Sequence, residues 1–219
     1  MDEPLSNLDP KLRTTMRTEL QSLRQKLGTT TIYVTHDQTE VMTMGDRIAI
    51  LDQGKLQQIG TPLECYHDPS NQFVTGFIGT PSMNFLEVTR SDGALEHVDF
   101  TYEISPELEE RRLSDESEIV LGIRPEDIQL GDGTHPNDLL LTVDVGEPMG
   151  DQVHIYLDIG DQQLTATLDG RTQVESGNEV HLRSPEELIH LFDAEIGEAL
   201  KTSTVEIDED VSDALPTHG

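Results

Sequence analysis

The spacing of apolar residues divides the chain into two regimes. From Pro10 to Leu27 they recur at three- and four-residue steps (Leu12, Met16, Leu20, Leu23, Leu27), which predicts an amphipathic helix. Asp9 suits its N-cap, Pro10 its first helical position and Gly28 its end. Thr29–Thr35 is short, β-branched and aromatic, the composition of a buried parallel strand. A short helix over Asp37–Met44 comes next. A hairpin of Ile48–Leu51 and Lys55–Ile59 then turns at Asp52-Gln53-Gly54, and two further short helices cover Pro62–His67 and Gln72–Ile78. Beyond Asn84 the period changes to two. Phe85–Thr89, His97–Tyr102, Ile119–Ile123, Leu139–Gly146, Gln152–Ile159, Gln163–Leu168 and Glu179–Arg183 alternate between Gly, Asp, Asn and Pro clusters, which predicts a small antiparallel β-barrel or sandwich.

Charge sharpens that boundary. Residues 1–80 hold 7 basic and 10 acidic side chains, whereas residues 81–219 hold 7 basic and 33 acidic. The charge step falls at the turn signal Gly79-Thr80-Pro81 and predicts a division there. A net charge of −29 repels polyanions, so nucleic acid is excluded as a partner. With 4 Lys against 10 Arg, the composition points to a surface adapted to high internal salt, where the Debye length is ~3 Å at 1 M. Cys65 is the only cysteine, which rules out an intrachain disulfide and fits an intracellular compartment. No run approaches the 18 or so apolar residues of a membrane span, so any membrane role is peripheral. Residues 195–219, with Glu206-Ile207-Asp208-Glu209-Asp210, read as an acidic disordered tail.

The chemistry-bearing residues lie at the start. Asp2-Glu3-Pro4-Leu5-Ser6-Asn7-Leu8-Asp9 is followed, 33 residues after Glu3, by His36 within Tyr33-Val34-Thr35-His36-Asp37. One carboxylate of such a set can hold Mg²⁺ through water while a second positions an attacking water. An imidazole can donate a hydrogen bond to a transferred phosphate. Asp2, Glu3 and His36 suit these three roles, and His36 sits at the C-terminal end of a predicted strand, where open α/β sheets bind ligands.

This octet with its downstream Thr-His-Asp resembles the ATP-binding subunits of ABC transporters. In that resemblance Asp2-Glu3 is the acidic pair ending the Walker B strand, Ser6-Asn7-Leu8-Asp9 is the D-loop, and His36 is the switch histidine. The stretch Gly60-Thr61-Pro62-Leu63-Glu64, with Tyr66, Pro69, Phe73-Val74, Phe77-Ile78-Gly79-Thr80-Pro81 and Met83-Asn84-Phe85, resembles the junction of sugar importers of the maltose and glycerol-3-phosphate type. Gly122-Ile123-Arg124-Pro125-Glu126 and His190-Leu191-Phe192-Asp193 resemble their regulatory domain, the OB-like TOBE domain.

The fold so implied is α/β over residues 1–80, the C-terminal part of a P-loop ABC domain. An all-β OB-like barrel follows over 81–194, and the tail over 195–219. The resemblance implies ATP and Mg²⁺ as cofactors, with Asp2 serving the metal through water, Asp9 reaching across a dimer, and Glu3 and His36 as the catalytic pair. It further implies transmembrane permease subunits and a second ATPase subunit as partners, at the inner face of the cell membrane. No Gly-x-x-x-x-Gly-Lys-[Ser/Thr] loop and no Leu-Ser-Gly-Gly-Gln occurs in the 219 residues. The chain therefore reads as a truncated subunit lacking the phosphate cradle, with no ATPase activity alone. It also leaves the Thr29–Thr35 strand with an uncovered edge.

Two other readings stay open. The chain can serve as a non-catalytic regulatory or dimerisation module. A metal-dependent hydrolase is disfavoured by the lack of a His-x-Glu-x-His or comparable ligand cluster. Arg124 is expected to form a structural ion pair, Cys65 to be packed, and the junction aromatics to fill core.

Overall fold

A computed structural model describes residues 1–110 and 118–203. Helix α1, Pro10–Leu27, begins where Asp9 accepts the Leu12 N–H and ends where Gly28 takes a left-handed conformation at φ 59°. Helix α2, Gln38–Met44, is capped by Asp37, whose carboxylate accepts the Glu40 N–H. Strands β1 (Ile48–Asp52) and β2 (Lys55–Gly60) form the predicted hairpin. Helix α3, Pro62–His67, starts with a capping box between Thr61 and Glu64, and α4, Gln72–Phe77, is capped by Asn71. Cys65 is buried with Ile50, Val74 and Ile78, as expected of a packed thiol.

The β-rich part holds two sheets. One has six strands: β3 (Asn84–Ser91), β4 (Ala94–Glu96), β5 (Thr101–Glu103), β6 (Glu118–Ile123), β12 (His190–Asp193) and β13 (Ala199–Lys201), in the order β13-β12-β6-β3-β4-β5. The other has β7 (Gln129–Leu130), β8 (Leu139–Pro148), β9 (Gln152–Ile159), β10 (Gln162–Asp169) and β11 (Glu179–Arg183), in the order β10-β9-β8-β11-β7. All pairings in the two sheets are antiparallel. Their inward residues, among them Leu86, Leu121, Ile155, Leu157 and Leu191, make one continuous core. A short helix, α5 (Pro106–Glu110), follows β5, and a 3-10 turn over Pro125–Asp127 follows β6.

Asn84, from the junction motif, ties the sheets together where no strand pairing does. Its side-chain amide donates to the carbonyls of Ile123 and Thr165 at 3.0 and 2.8 Å, and its oxygen accepts the Thr165 N–H at 2.7 Å. A buried amide that completes two backbone ladders is satisfied on both faces.

Three expectations need correction. Thr29–Thr35 is not a buried strand: Ile32 is 80% and Val34 52% exposed, and the pairing shrinks to one parallel bridge between Asp2 and Val34. A β-branched run needs neighbours on both edges to form a ladder, and among the described residues only 1–3 run beside it. The tail does not begin at residue 195. β13 lies beyond that point, and Thr202 and Ser203 donate to the Asp68 carboxylate and the His67 carbonyl; residues 204–219 lie outside the described residues. Arg124 makes no ion pair among the described residues. Its guanidinium donates to the carbonyls of Ile78 and Tyr66 at 3.1 and 2.5 Å and lies 3.6 Å over the Tyr66 ring. Burial pulls it down to about 10, leaving it charged at neutral pH.

Candidate active site

Residues 1–3 and 32–36 meet through their backbones. The Val34 N–H donates to the Met1 carbonyl and the Glu3 N–H to the Val34 carbonyl, both at 2.9 Å, while the terminal ammonium donates to the Ile32 carbonyl. This short parallel contact sets Glu3 beside the residue two positions further along the other segment, His36. The Glu3 carboxylate lies 2.6 Å from the His36 Nδ1. Glu3 has φ 40°, a left-handed conformation that a side chain larger than glycine adopts at a cost, and such strain concentrates at functional positions. The hydrogen bond and charge of Glu3 raise His36 above its ordinary 6.5, with Asp37 and Glu40 adding to the effect. With Nδ1 turned to Glu3, Nε2 is the nitrogen left for a ligand.

Around this pair stands a shell of polar ties. Ser6, Arg13, Thr35, His36, Asp37 and Glu40 line a small cleft. Arg13 bridges it, with its guanidinium 3.2 Å from the Asp37 carboxylate and donating to the carbonyls of Ser6 and Leu8 at 3.2 and 3.3 Å. The buried Glu40 carboxylate accepts from the Tyr33 and Thr35 hydroxyls at 2.8 and 2.7 Å, which drives the Tyr33 phenol upward, burial being the larger cause. Gln38, the first residue of α2, accepts from the Gly79 N–H and the Thr80 hydroxyl at 3.2 and 2.8 Å.

Of the four residues singled out from sequence, the structure joins two, Glu3 and His36. Asp2 lies next to them in the backbone bridge with an exposed side chain, and Asp9 stands at the start of α1 with its carboxylate on the Leu12 N–H. Sequence reasoning missed Arg13, Gln38 and Glu40. Arg13 and Glu40 carry no periodic signal, because each lies beside an apolar stripe and not in it; Gln38 was visible only as the neighbour of His36-Asp37.

The donor set tests which part of a Mg-nucleotide these residues could hold. A strained carboxylate paired with an imidazole fits the water-facing edge of a phosphoryl group. A phosphate cradle needs a run of backbone N–H groups and a lysine, and no Gly-x-x-x-x-Gly-Lys-[Ser/Thr] stands among these residues. The groups gathered here are thus a carboxylate–imidazole pair and not a phosphate cradle.

Residues 79–128 match the MalK OB fold domain and residues 121–192 the TOBE domain. Two proteins of the haloarchaeon Haloferax volcanii are similar along most of the chain. The xylose/arabinose import ATP-binding protein XacK is 52% identical over 208 residues, covering 92% of this chain and 54% of that protein. Its counterpart XacJ is 47% identical over 211 residues, covering 91% and 55%. The oligosaccharides import ATP-binding protein MsmX of Bacillus subtilis is 42% identical over 203 residues, covering 89% and 55%. The chain thus spans about half the length of the curated relatives it matches.

Proposed function

From the premise that this chain carries the MalK OB fold and TOBE domains and is kin to the ATP-binding proteins of sugar importers, we propose that it supplies the hydrolytic edge and regulatory domain of an importer ATPase for sugar-like solutes. The observation that carries this reading is the 2.6 Å contact between Glu3 and His36, on a backbone held out of its relaxed conformation. Bound Mg-ATP supplies the phosphoryl group and the charge that drive transport. Glu3 would orient a water and take its proton, and its hydrogen bond to Nδ1 would hold the His36 ring with Nε2 free to donate to a phosphate. Asp2 would serve the metal through water, and Asp9, at the head of α1, would face a second ATPase subunit. Residues 1–80 form the nucleotide-side part and the β-rich residues from 81 through β13 the regulatory domain, contacting permease subunits and the paired ATPase at the inner face of the membrane. No helix among the described residues is long and apolar enough to cross a membrane.

The test is calorimetric and kinetic. The chain alone is titrated with ATP, then tested again when joined to the portion of the Haloferax relative that it does not match. No binding is expected alone, and binding with turnover once completed. In the completed protein Glu3→Gln keeps the hydrogen-bond shape but loses the basic oxygen, so turnover falls about 100-fold or more while ATP still binds. Wild-type turnover in that variant would remove Glu3 from the role.

A second reading, a non-catalytic dimerisation or regulatory module, draws on a different observation. The continuous core lies in the β-rich part, whereas α1 buries none of its residues. A stable dimer of the chain in sedimentation, formed without nucleotide, would favour it.

A further inference from the structure

Helix α2 begins at a node where three segments converge. His36 meets Glu3, Asp37 meets Arg13, and Gln38 meets Gly79 and Thr80, which lie 41 and 42 residues further along. The first two contacts stay within the candidate site. The third leaves it for the segment that leads into the β-rich part. That segment is itself gripped from the far side: Arg124, after β6, donates to the Ile78 carbonyl at 3.1 Å. A Cβ on Gly79 would stand 3.1 Å from the same guanidinium, and Gly79 has φ 130°, so the chain passes against Arg124 in a conformation that favours glycine. A continuous path of polar contacts and backbone therefore runs from the β-rich part through Arg124, Ile78-Gly79-Thr80 and Gln38 to His36 and Glu3.

Gln38 is redundant for local structure. Asp37 already caps α2, and Glu40 already holds Tyr33 and Thr35 on the other flank of His36. Its side-chain oxygen is satisfied wholly by the linker, by one backbone N–H and one hydroxyl, and this donor pair also fixes which way the amide faces. What the two bonds add is a set position of the start of α2, and of the two residues before it, relative to the β-rich part.

We propose that Gln38 is a positioning residue: by anchoring the start of α2 to Gly79 and Thr80, it lets the seating of the β-rich part on that linker set the orientation of His36 against Glu3. This rests on the reading that Glu3 and His36 work as a pair on nucleotide, but its test uses none. The coupling is a mechanical one through contiguous contacts, with the linker as the element that both ends share.

The experiment is nuclear magnetic resonance on the whole chain in concentrated KCl, with two readouts. One is the His36 Nδ1 nitrogen shift, read through the ring Hε1, which reports whether Nδ1 is held in a hydrogen bond. The other is exchange of the Gly79 amide. In Gln38→Leu the Gly79 amide should exchange about fivefold faster, the worth of one ordinary hydrogen bond, and the Nδ1 shift should move towards that of a freely averaging imidazole. Gln38→Glu keeps both accepted bonds and should restore the slow exchange and the Nδ1 signature. Thr80→Val removes one donor from the linker side and should shift both readouts in the direction of Gln38→Leu by a smaller amount. If Gln38→Leu fails to fold, judged by loss of the β-core methyl signals, Thr80→Val alone decides. An unchanged Gly79 exchange rate would show that no link exists. Faster exchange with an unchanged Nδ1 shift would show a link that positions nothing. Either result overturns the proposal, and neither bears on whether the completed protein hydrolyses ATP.

Discussion

His190 offers a sharp prediction about stability. It is fully buried in β12, its ring stacks on Phe192, and neither ring nitrogen has a hydrogen-bond partner among the described residues. Burial, reinforced by the positive charges of Arg124, Lys201 and the neighbouring His67, pushes its pKa down from 6.5 to about 3. The unfolded chain therefore binds a proton at His190 between those values while the folded chain does not. Stability is fully present above the unfolded value and is lost as pH falls from 6.5 towards 3. The shift corresponds to a ceiling of about 5 kcal/mol, of which about 2 kcal/mol should disappear between about pH 7 and pH 5. His190→Leu replaces the ring with a non-titrating apolar side chain that suits a buried strand. Urea unfolding of both proteins, at constant KCl and at pH steps between those two values, isolates this contribution from every other group by difference. The wild-type curve should fall more steeply by about 2 kcal/mol. Parallel curves for the two proteins would refute the claim that folding excludes the proton from this ring.

Three further outcomes follow from the same contacts. Asn84→Leu removes the side-chain partner of the Thr165 N–H and carbonyl and of the Ile123 carbonyl, so denaturant unfolding should show a loss of about 3 kcal/mol. Gly122→Ala brings a Cβ within 2.6 Å of the Met83 sulfur and 2.8 Å of the Phe192 ring, and should cost about 1–3 kcal/mol by the same measurement; an unchanged midpoint would mean that the Met83 side chain yields freely. With a net charge of −29, the thermal midpoint should climb steeply as KCl rises from about 0.1 to 3 M, and equal midpoints at both ends would contradict a surface that needs salt to screen itself.

Where local chemistry decides the structure, the sequence was a sufficient guide. Asp9, Pro10 and Gly28 bound α1 at the residues expected, because a capping carboxylate, a fixed φ and a left-handed glycine act within one turn. The alternating strands of the β-rich part were legible for the same reason, since each inward side chain is buried by its own sheet's partner. The strands that were missed are short: β4, β7, β12 and β13 have two to four residues each, too few to show a period, and the strand expected over His97–Tyr102 shrinks to β5. Arg124 was misjudged because an arginine's partner cannot be read from sequence. Its five donors suit carbonyls and a ring face as well as a carboxylate, and only the fold decides which stand nearest.

The Thr29–Thr35 segment shows the opposite limit and bears on the candidate site. Its composition is that of a central strand, yet Ile32 and Val34 face solvent, and so do Leu12, Met16, Leu23 and Leu27 on the stripe of α1. Apolar surface on this scale is costly in water, so α1 and residues 29–35 draw little stability from burial and lean on polar ties, in contrast to the core around Cys65, Val74 and Ile78. Those ties are the ones that assemble the site: Arg13 on Asp37, Ser6 and Leu8; the Tyr33 and Thr35 hydroxyls on Glu40; and Gln38 on the linker. The contacts that set Glu3 against His36 therefore lie beside an apolar face that stays uncovered among the described residues.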